Sequence, residues 1–401
     1  MKWAKSLDSW NRYVQCTIFN CRGALMPVDR SRSWTQTLLH FDFTLFLVTV
    51  SIAFLGVIMI YSATREKLSL AGLSPYSYLE RQAMYVILGI IVMFVLVTID
   101  YHQLGSLGFV FYGGVVLALL AVLTPIGKRA LGSQRWFQLG PLQLQPSEFA
   151  ALAIILAIAV YLQAHEEDEI TAPLILKILV IAGVPMLLVI KQPDIGTALV
   201  MGIVLLTMLV LARVSLAWIS VLMVAGALAV VLVVSLGILQ KYQLERLTSF
   251  VNPNTSTLQS GYNLAQSKIA IGSGGLFGKG LFESSQTNLS YVPEQQTDFI
   301  FTAVGEQLGF VGAGGLLLLY AFMSWRVWSI MKRSRDTLGK MLVGGVLGYL
   351  AFSIFQNAGM TMGIMPITGI PLPFLSYGGS AVLAFFASIG LVLNVGMRNP
   401  R

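Results

Sequence analysis

The sequence predicts an all-α polytopic membrane protein with about ten transmembrane helices. Three observations carry that prediction. Charged residues make up 11% of the 401-residue chain, less than half the share of about 25% found in soluble globular chains. Apolar residues reach 56%, and they gather in repeated uncharged runs of at least the roughly 18 residues that cross a bilayer. The formal net charge of +8 is spread between those runs instead of forming one basic face, so the chain is not read as a nucleic-acid binder. Two cysteines, Cys16 and Cys21, are too few for a disulfide framework or a four-ligand zinc site.

Taken in order, the apolar segments fall at about 42–62, 83–100, 107–126, 146–163, 174–191, 195–212, 216–238, 299–330, 341–362 and 380–398. The first 40 residues form an N-terminal arm without the continuous apolar core of a secretory signal. An even number of spans puts both termini on one side. Lys and Arg place that side in the cytoplasm, with six basic residues in the arm and five at 326–340, following the positive-inside rule. The cytoplasmic turns then include Glu166 to Glu169 and all three histidines, His40, His102 and His165.

Two segments are not plain connections. The extracytoplasmic loop at 239–298, between the seventh and eighth spans, is too long for a simple link. Leu244, Leu247 and Val251 in it repeat at helical spacing opposite Lys241, Glu245 and Arg246, which predicts a surface helix. A second short helix is predicted at about 261–271, ending before Gly272. The segment 363–379 holds Pro366, Pro371 and Pro373 without any charge. Irregular backbone that apolar has to be buried in protein or line a cavity, so it reads as a re-entrant or tightly packed outer loop.

Ionisable residues at or inside spans are costly and mark functional candidates. They are Glu148, Lys177, Asp194, Asp298 and Glu306. Asp194 and Glu148 also stand where a helix cap or first-turn acid is favoured, and Lys177 can snorkel to the surface. Asp298 begins the eighth span and can cap it, but capping leaves Glu306 unexplained. Eight residues advance a helix by about 12 Å and about 80° beyond two turns, so the two acids lie on neighbouring faces at different depths. One outward-facing polar pocket holding both would suit proton transfer or a divalent cation. The stretch GSGGLFGKG (272–280) fails the phosphate-loop pattern. It reads as a surface turn, or as backbone amides with Lys279 near an anionic headgroup.

Five motifs in order, QRWFQLGPLQLQPSEFA (134–150), KQPDIGTA (191–198), GYNLAQSKIAIGSGGLFGKG (261–280), VPEQQTDFIFTAVGEQLG (292–309) and GIPLPFLSYGGS (369–380), closely resemble the SEDS family (shape, elongation, division and sporulation). The similarity covers roughly residues 40–398 and agrees with the family's ten-span count. IAIGSGGLFGKG is more similar to the RodA-like elongation branch than to the division branch. The resemblance implies a peptidoglycan glycosyltransferase of the cytoplasmic membrane that polymerises lipid II into β-1,4-linked strands during cell elongation. It makes Asp298 the essential aspartate. It also aligns Glu306, Glu148, Asp194, Arg135 and Trp136 with family motif positions. Three positions depart from the family pattern: Ala151 replaces a frequent lysine, Gln295 and Gln296 a basic pair, and Gln307 a second acid.

The chemistry this implies is inversion at the donor anomeric carbon, with Asp298 taking the acceptor proton. Lys279, Arg135 or a divalent cation (Mg or Mn) would steady the departing undecaprenyl pyrophosphate. The implied partners are lipid II, the growing glycan strand, membrane lipids and a class B penicillin-binding protein that supplies transpeptidation. A lipid-linked precursor flippase shares the apolar groove and polar cavity but needs no base. A solute transporter would instead show repeated halves, and none is visible in the sequence.

Overall fold

The structure, a computed structural model, describes residues 40–130, 133–139, 142–235, 259–288 and 294–399. The N-terminal arm up to residue 39 and the predicted surface helix around Leu244 to Val251 lie outside the described residues. The helical unit begins at Asp42, whose carboxylate accepts a hydrogen bond from the Leu45 amide at 3.0 Å and so caps α1 (Phe43–Leu70). There follow α2 (Ser77–Thr98), the short α3 (Tyr101–Ser106) and α4 (Gly108–Val122). Next come α5 (Pro146–Ala164), α6 (Ala172–Lys191), α7 (Ile195–Leu211) and α8 (Leu216–Ser235). After the long loop's α9 (Gln259–Ser273) and α10 (Ser285–Asn288), the chain ends in α11 (Ile300–Arg333), α12 (Thr337–Met362) and α13 (Gly379–Arg398). Among the described residues seven helices are long and apolar enough to cross a membrane, and three shorter apolar helices occupy Gly108–Val122, Ile195–Leu211 and Leu216–Leu228. Together they are the ten predicted spans, and α9 is the predicted second loop helix.

The core is built from α5, α12 and α13. These helices are apolar around most of their circumference and buried along most of their length, as expected for helices enclosed by others. α13 lies along α2, and α12 packs against α5, α7 and α11. The outer helices show apolar side chains on their free faces, such as Val221, Leu228 and Leu232 on α8.

Two features depart from the sequence reading. The connection between α4 and α5 is not a plain loop. It folds into a three-stranded antiparallel sheet, β1 (Lys128–Ala130), β2 (Ser133–Leu139) and β3 (Leu142–Leu144), in the order β1-β2-β3. Trp136 faces Lys128 across the first pair and Phe137 faces Leu144 across the second. The all-α description therefore holds for the membrane bundle and not for this connection.

The second departure is in α11, which is broken at Gly309, where φ is 66°. A helix break frees amides that need new partners. The glycine-rich loop supplies them: Phe310 N donates to Gly275 O at 2.9 Å and Val311 N to Leu276 O at 3.0 Å. A Cβ on Gly309 would come within 2.2 Å of Gly278 N, so both strands of this contact require glycine. GSGGLFGKG is therefore not a free turn, and its Gly278, Lys279 and Gly280 amides donate to Gly274 O, Glu306 O and Gln307 O. It is the piece that satisfies the broken helix.

Candidate active site

A cavity of about 670 Å³ lies where the sheet, the starts of α5, α7 and α11, and the 363–379 segment meet. Each polar wall residue is placed by a local structural rule. Pro146 at the first position of α5 and the acid Glu148 in its first turn match the helix dipole, and Glu148 reaches the cavity. Asp194 caps α7 by accepting from Thr197 N at 3.2 Å, and it also lines the cavity. Capping and cavity duty therefore coincide in Asp194. Its second oxygen lies 3.5 Å from the Arg135 guanidinium and 3.4 Å from Gln145 Nε2.

β2 carries Arg135 and Trp136 into the same wall. Arg135 Nε donates to Gln192 O at 2.8 Å, and a second nitrogen donates to Pro193 O. One guanidinium thus ties the sheet to the turn that presents Asp194, using its fork of donors as a lysine cannot.

Asp298 lines the cavity from the turn before α11. Its amide donates to Glu294 O at 3.2 Å, and its carbonyl accepts from Asn357 Nδ2 at 2.9 Å. The next residue, Phe299, is buried in an apolar cluster with Leu264, Met360 and Ile367. The Pro-rich segment 363–379 is tightly packed, as predicted. It leaves α12 through the left-handed Gly363 (φ 77°), and Thr368, Gly369 and Pro371 form part of the wall.

Glu306 and Lys279 do not join this group. Glu306 is fully buried on the face of α11 that the loop covers. Its carboxylate accepts from Lys279 Nζ at 3.0 Å, Gln286 N at 2.9 Å, Thr287 N at 3.0 Å and the Thr287 hydroxyl at 2.7 Å. With its oxygens already bonded to the loop, it holds the 279–287 segment in place. The expected shared pocket for Asp298 and Glu306 is not formed. Among the described residues no three His, Cys, Asp or Glu side chains converge to ligate one ion.

Sequence reasoning passed over several cavity residues. Tyr78, Arg81 and Tyr85 of α2, Lys128 of β1 and Tyr377 of the Pro-rich segment all line it. Arg81, placed just before a predicted span, carried a usable signal as a charge beside an apolar run. Lys128 carried none without the sheet.

A family model described as a cell cycle protein, FtsW/RodA/SpoVE, matches residues 43–400. The chain belongs to the FtsW/RodA/SpoVE family. It is 34% identical over 360 residues to the peptidoglycan glycosyltransferase MrdB of Escherichia coli K12, covering 89% of this chain and 93% of that protein. Its fold matches RodA of Thermus thermophilus with a TM-score of 0.67 at 28% identity, over 90% of this chain and 98% of that one. It also matches a chain from a structure on the coordination of polymerization and crosslinking by a peptidoglycan synthase complex, with a TM-score of 0.71 at 29% identity, over 89% and 97%.

Family membership confirms the resemblance read from the motifs, and the structure gives two of the departing residues, Gln307 and Gln295, specific partners. Gln307 is fully buried. It accepts from Ser62 at 2.7 Å and donates to Ser284 at 3.1 Å, roles that a carboxylate cannot fill together. Gln295 is buried and donates to the Thr287 hydroxyl at 3.0 Å.

Proposed function

We propose that this multi-pass membrane protein is a peptidoglycan glycosyltransferase that polymerises lipid II. The observation that carries the reading is one cavity at the end of an apolar bundle, lined by Glu148, Asp194, Asp298 and Arg135. A polyprenyl tail needs the apolar surround, and its pyrophosphate-linked sugar needs the polar chamber. In this reading Asp298 accepts the proton as the acceptor 4-hydroxyl attacks the donor anomeric carbon. The bond to the pyrophosphate breaks with inversion, and Arg135, with Lys128 and Arg81 on the same wall, offsets the charge that develops. Lys279 is given no part in that step, because it does not line the cavity and pairs with Glu306 under the loop.

The wall carboxylates are oxygen donors of the kind a Mg or Mn ion takes. No dedicated cage of three such groups is present among the described residues, so an ion held by Glu148, Asp194 or Asp298 would complete its shell on the substrate. Once bound it would supply further charge compensation to the pyrophosphate. In this reading the loop end of the bundle is extracytoplasmic and both termini are cytoplasmic, a placement supported by the basic 326–340 turn. A class B penicillin-binding protein is the proposed partner, in keeping with the synthase complex that contains the structural relative.

The test is polymerisation of fluorescent lipid II by the purified protein, with and without that partner. Glycan ladders are the expected result. Absence of ladders from folded, partnered protein, together with lipid II transfer across vesicle membranes, would replace the transferase with a flippase.

A further inference from the structure

We infer that Asn357 is a positioning residue for Asp298, an inference that rests on reading Asp298 as the base. Asn357 lies inside α12 and is fully buried, where an amide side chain is costly unless bonded. Both of its donated bonds leave its own helix. Nδ2 donates to Asp298 O at 2.9 Å and to Ile370 O at 2.8 Å. One amide group therefore pins two irregular segments, the turn that presents Asp298 and the Pro-rich wall opposite it.

The need for such a pin follows from where Asp298 stands. It precedes α11, so the helical ladder does not hold its carbonyl. The first amide of the next turn folds back on Phe299 instead, with Thr302 N donating to Phe299 O at 3.0 Å. A second tie runs parallel to the first: Tyr377 N donates to Gln296 O at 2.9 Å. Asn357 Oδ1 is buried with no hydrogen-bond partner among the described residues. It is therefore the donor half of this side chain that is in use.

The neighbouring Gln356 provides a matched control. It is equally buried, and its Nε2 donates to Pro366 O at 2.8 Å. It binds the same Pro-rich segment without touching Asp298. A general packing role predicts that both amides matter alike. A positioning role predicts that they differ.

The experiment measures initial rates of lipid II polymerisation by full-length, partnered protein, across substrate concentration and pH. The variants are Asn357→Leu, Asn357→Ser, Gln356→Leu and Asp298→Asn, compared at equal monodisperse fraction. Misplacing a catalytic group by about 1 Å costs on the order of 100-fold. The expected result is a fall of that order in kcat for Asn357→Leu and Asn357→Ser, with KM little changed and the acid limb of the pH profile displaced. Gln356→Leu should stay within about threefold of wild type. Asn357→Ser serves if the leucine variant does not fold. Unchanged kcat in the folded Asn357 variants overturns the inference, and so does an equal fall in Gln356→Leu. Full activity of Asp298→Asn would instead overturn the reading of Asp298 as the base.

Discussion

Lys279 Nζ lies 3.0 Å from Glu306 Oε1, and no part of that carboxylate side chain is exposed. With the two amides and one hydroxyl that also point at it, Glu306 is the anchor of the loop on α11. The acid that stays open to the cavity is the one eight residues earlier, Asp298. Two carboxylates that look equivalent along the sequence thus have different work, and the difference can be tested.

Glu306→Gln should act on stability. The amide removes the counter-charge of Lys279 and turns a donor towards either the Gln286 or the Thr287 amide, which bond opposite oxygens of the carboxylate. Breaking a fully buried pair costs about 3–5 kcal/mol, and the partly exposed Lys279 makes the loss here smaller than that. Thermal unfolding in detergent is expected to show a clear drop in midpoint, while the fraction that stays folded keeps its KM for lipid II. A variant with unchanged melting and lost turnover would return Glu306 to the reaction.

Gly309→Ala should disrupt the break in α11. The φ of 66° penalises a side chain, and the new Cβ would meet Gly278 N at 2.2 Å. Alanine at a positive φ destabilises by more than the about 0.4–1 kcal/mol that it gains at a compatible site, and the clash adds to that. Limited proteolysis is expected to cut the 272–282 loop faster than in wild type. Equal cutting rates would mean that the loop does not depend on this contact.

Arg135→Lys should not rescue the loss seen in Arg135→Gln. A lysine keeps the charge but cannot bond Gln192 O and Pro193 O together while facing Asp194. Both variants should lose about tenfold or more in kcat/KM if Arg135 offsets the pyrophosphate charge as proposed. A lysine variant with wild-type kinetics would reduce Arg135 to a simple point charge.

At the opposite end of the bundle, His102 stands between Asp100 at 3.0 Å and Asp336 at 3.7 Å. The hydrogen bond to Asp100 raises the His102 pKa, outweighing burial. Burial alone would raise Asp100, but the bonds from His102 and the nearby Arg398 bring it below its usual value. The histidine's contribution is full below its ordinary pKa of about 6.5 and fades as pH climbs through the raised value. The carboxylate's contribution is present above its ordinary range and fades as pH falls through the lowered value. Wild type should therefore lose part of its melting temperature on the alkaline side, and His102→Gln should not. Parallel melting curves for the two proteins across pH 5–9 would remove His102 from the tie.

The ten spans were legible because bilayer hydrocarbon imposes a length and a composition that any window along the chain reveals. Asp194 and Glu148 were legible because cap positions are local. The sheet at 128–144 was not, since its strands are short and carry Gln and Arg among the apolar residues. Nor was the break at Gly309, because glycine is common in membrane helices. Helical spacing was the wrong guide to Asp298 and Glu306, because Asp298 lies in the turn before α11 and Phe299, not Asp298, is the residue that precedes the first turn. Which face of α11 the loop covers depends on contacts between α11 and residues 274–287 that no local pattern encodes. Asn357 escaped notice for the same reason, since its partners lie 59 and 13 residues away.

The most direct test of the account is the single-turnover rate of lipid II coupling by Asp298→Asn beside Glu306→Gln, both folded and partnered. The account predicts that the asparagine variant binds lipid II and forms no glycan bond above background, while the folded fraction of the glutamine variant still does. Coupling at the wild-type rate by Asp298→Asn would contradict it.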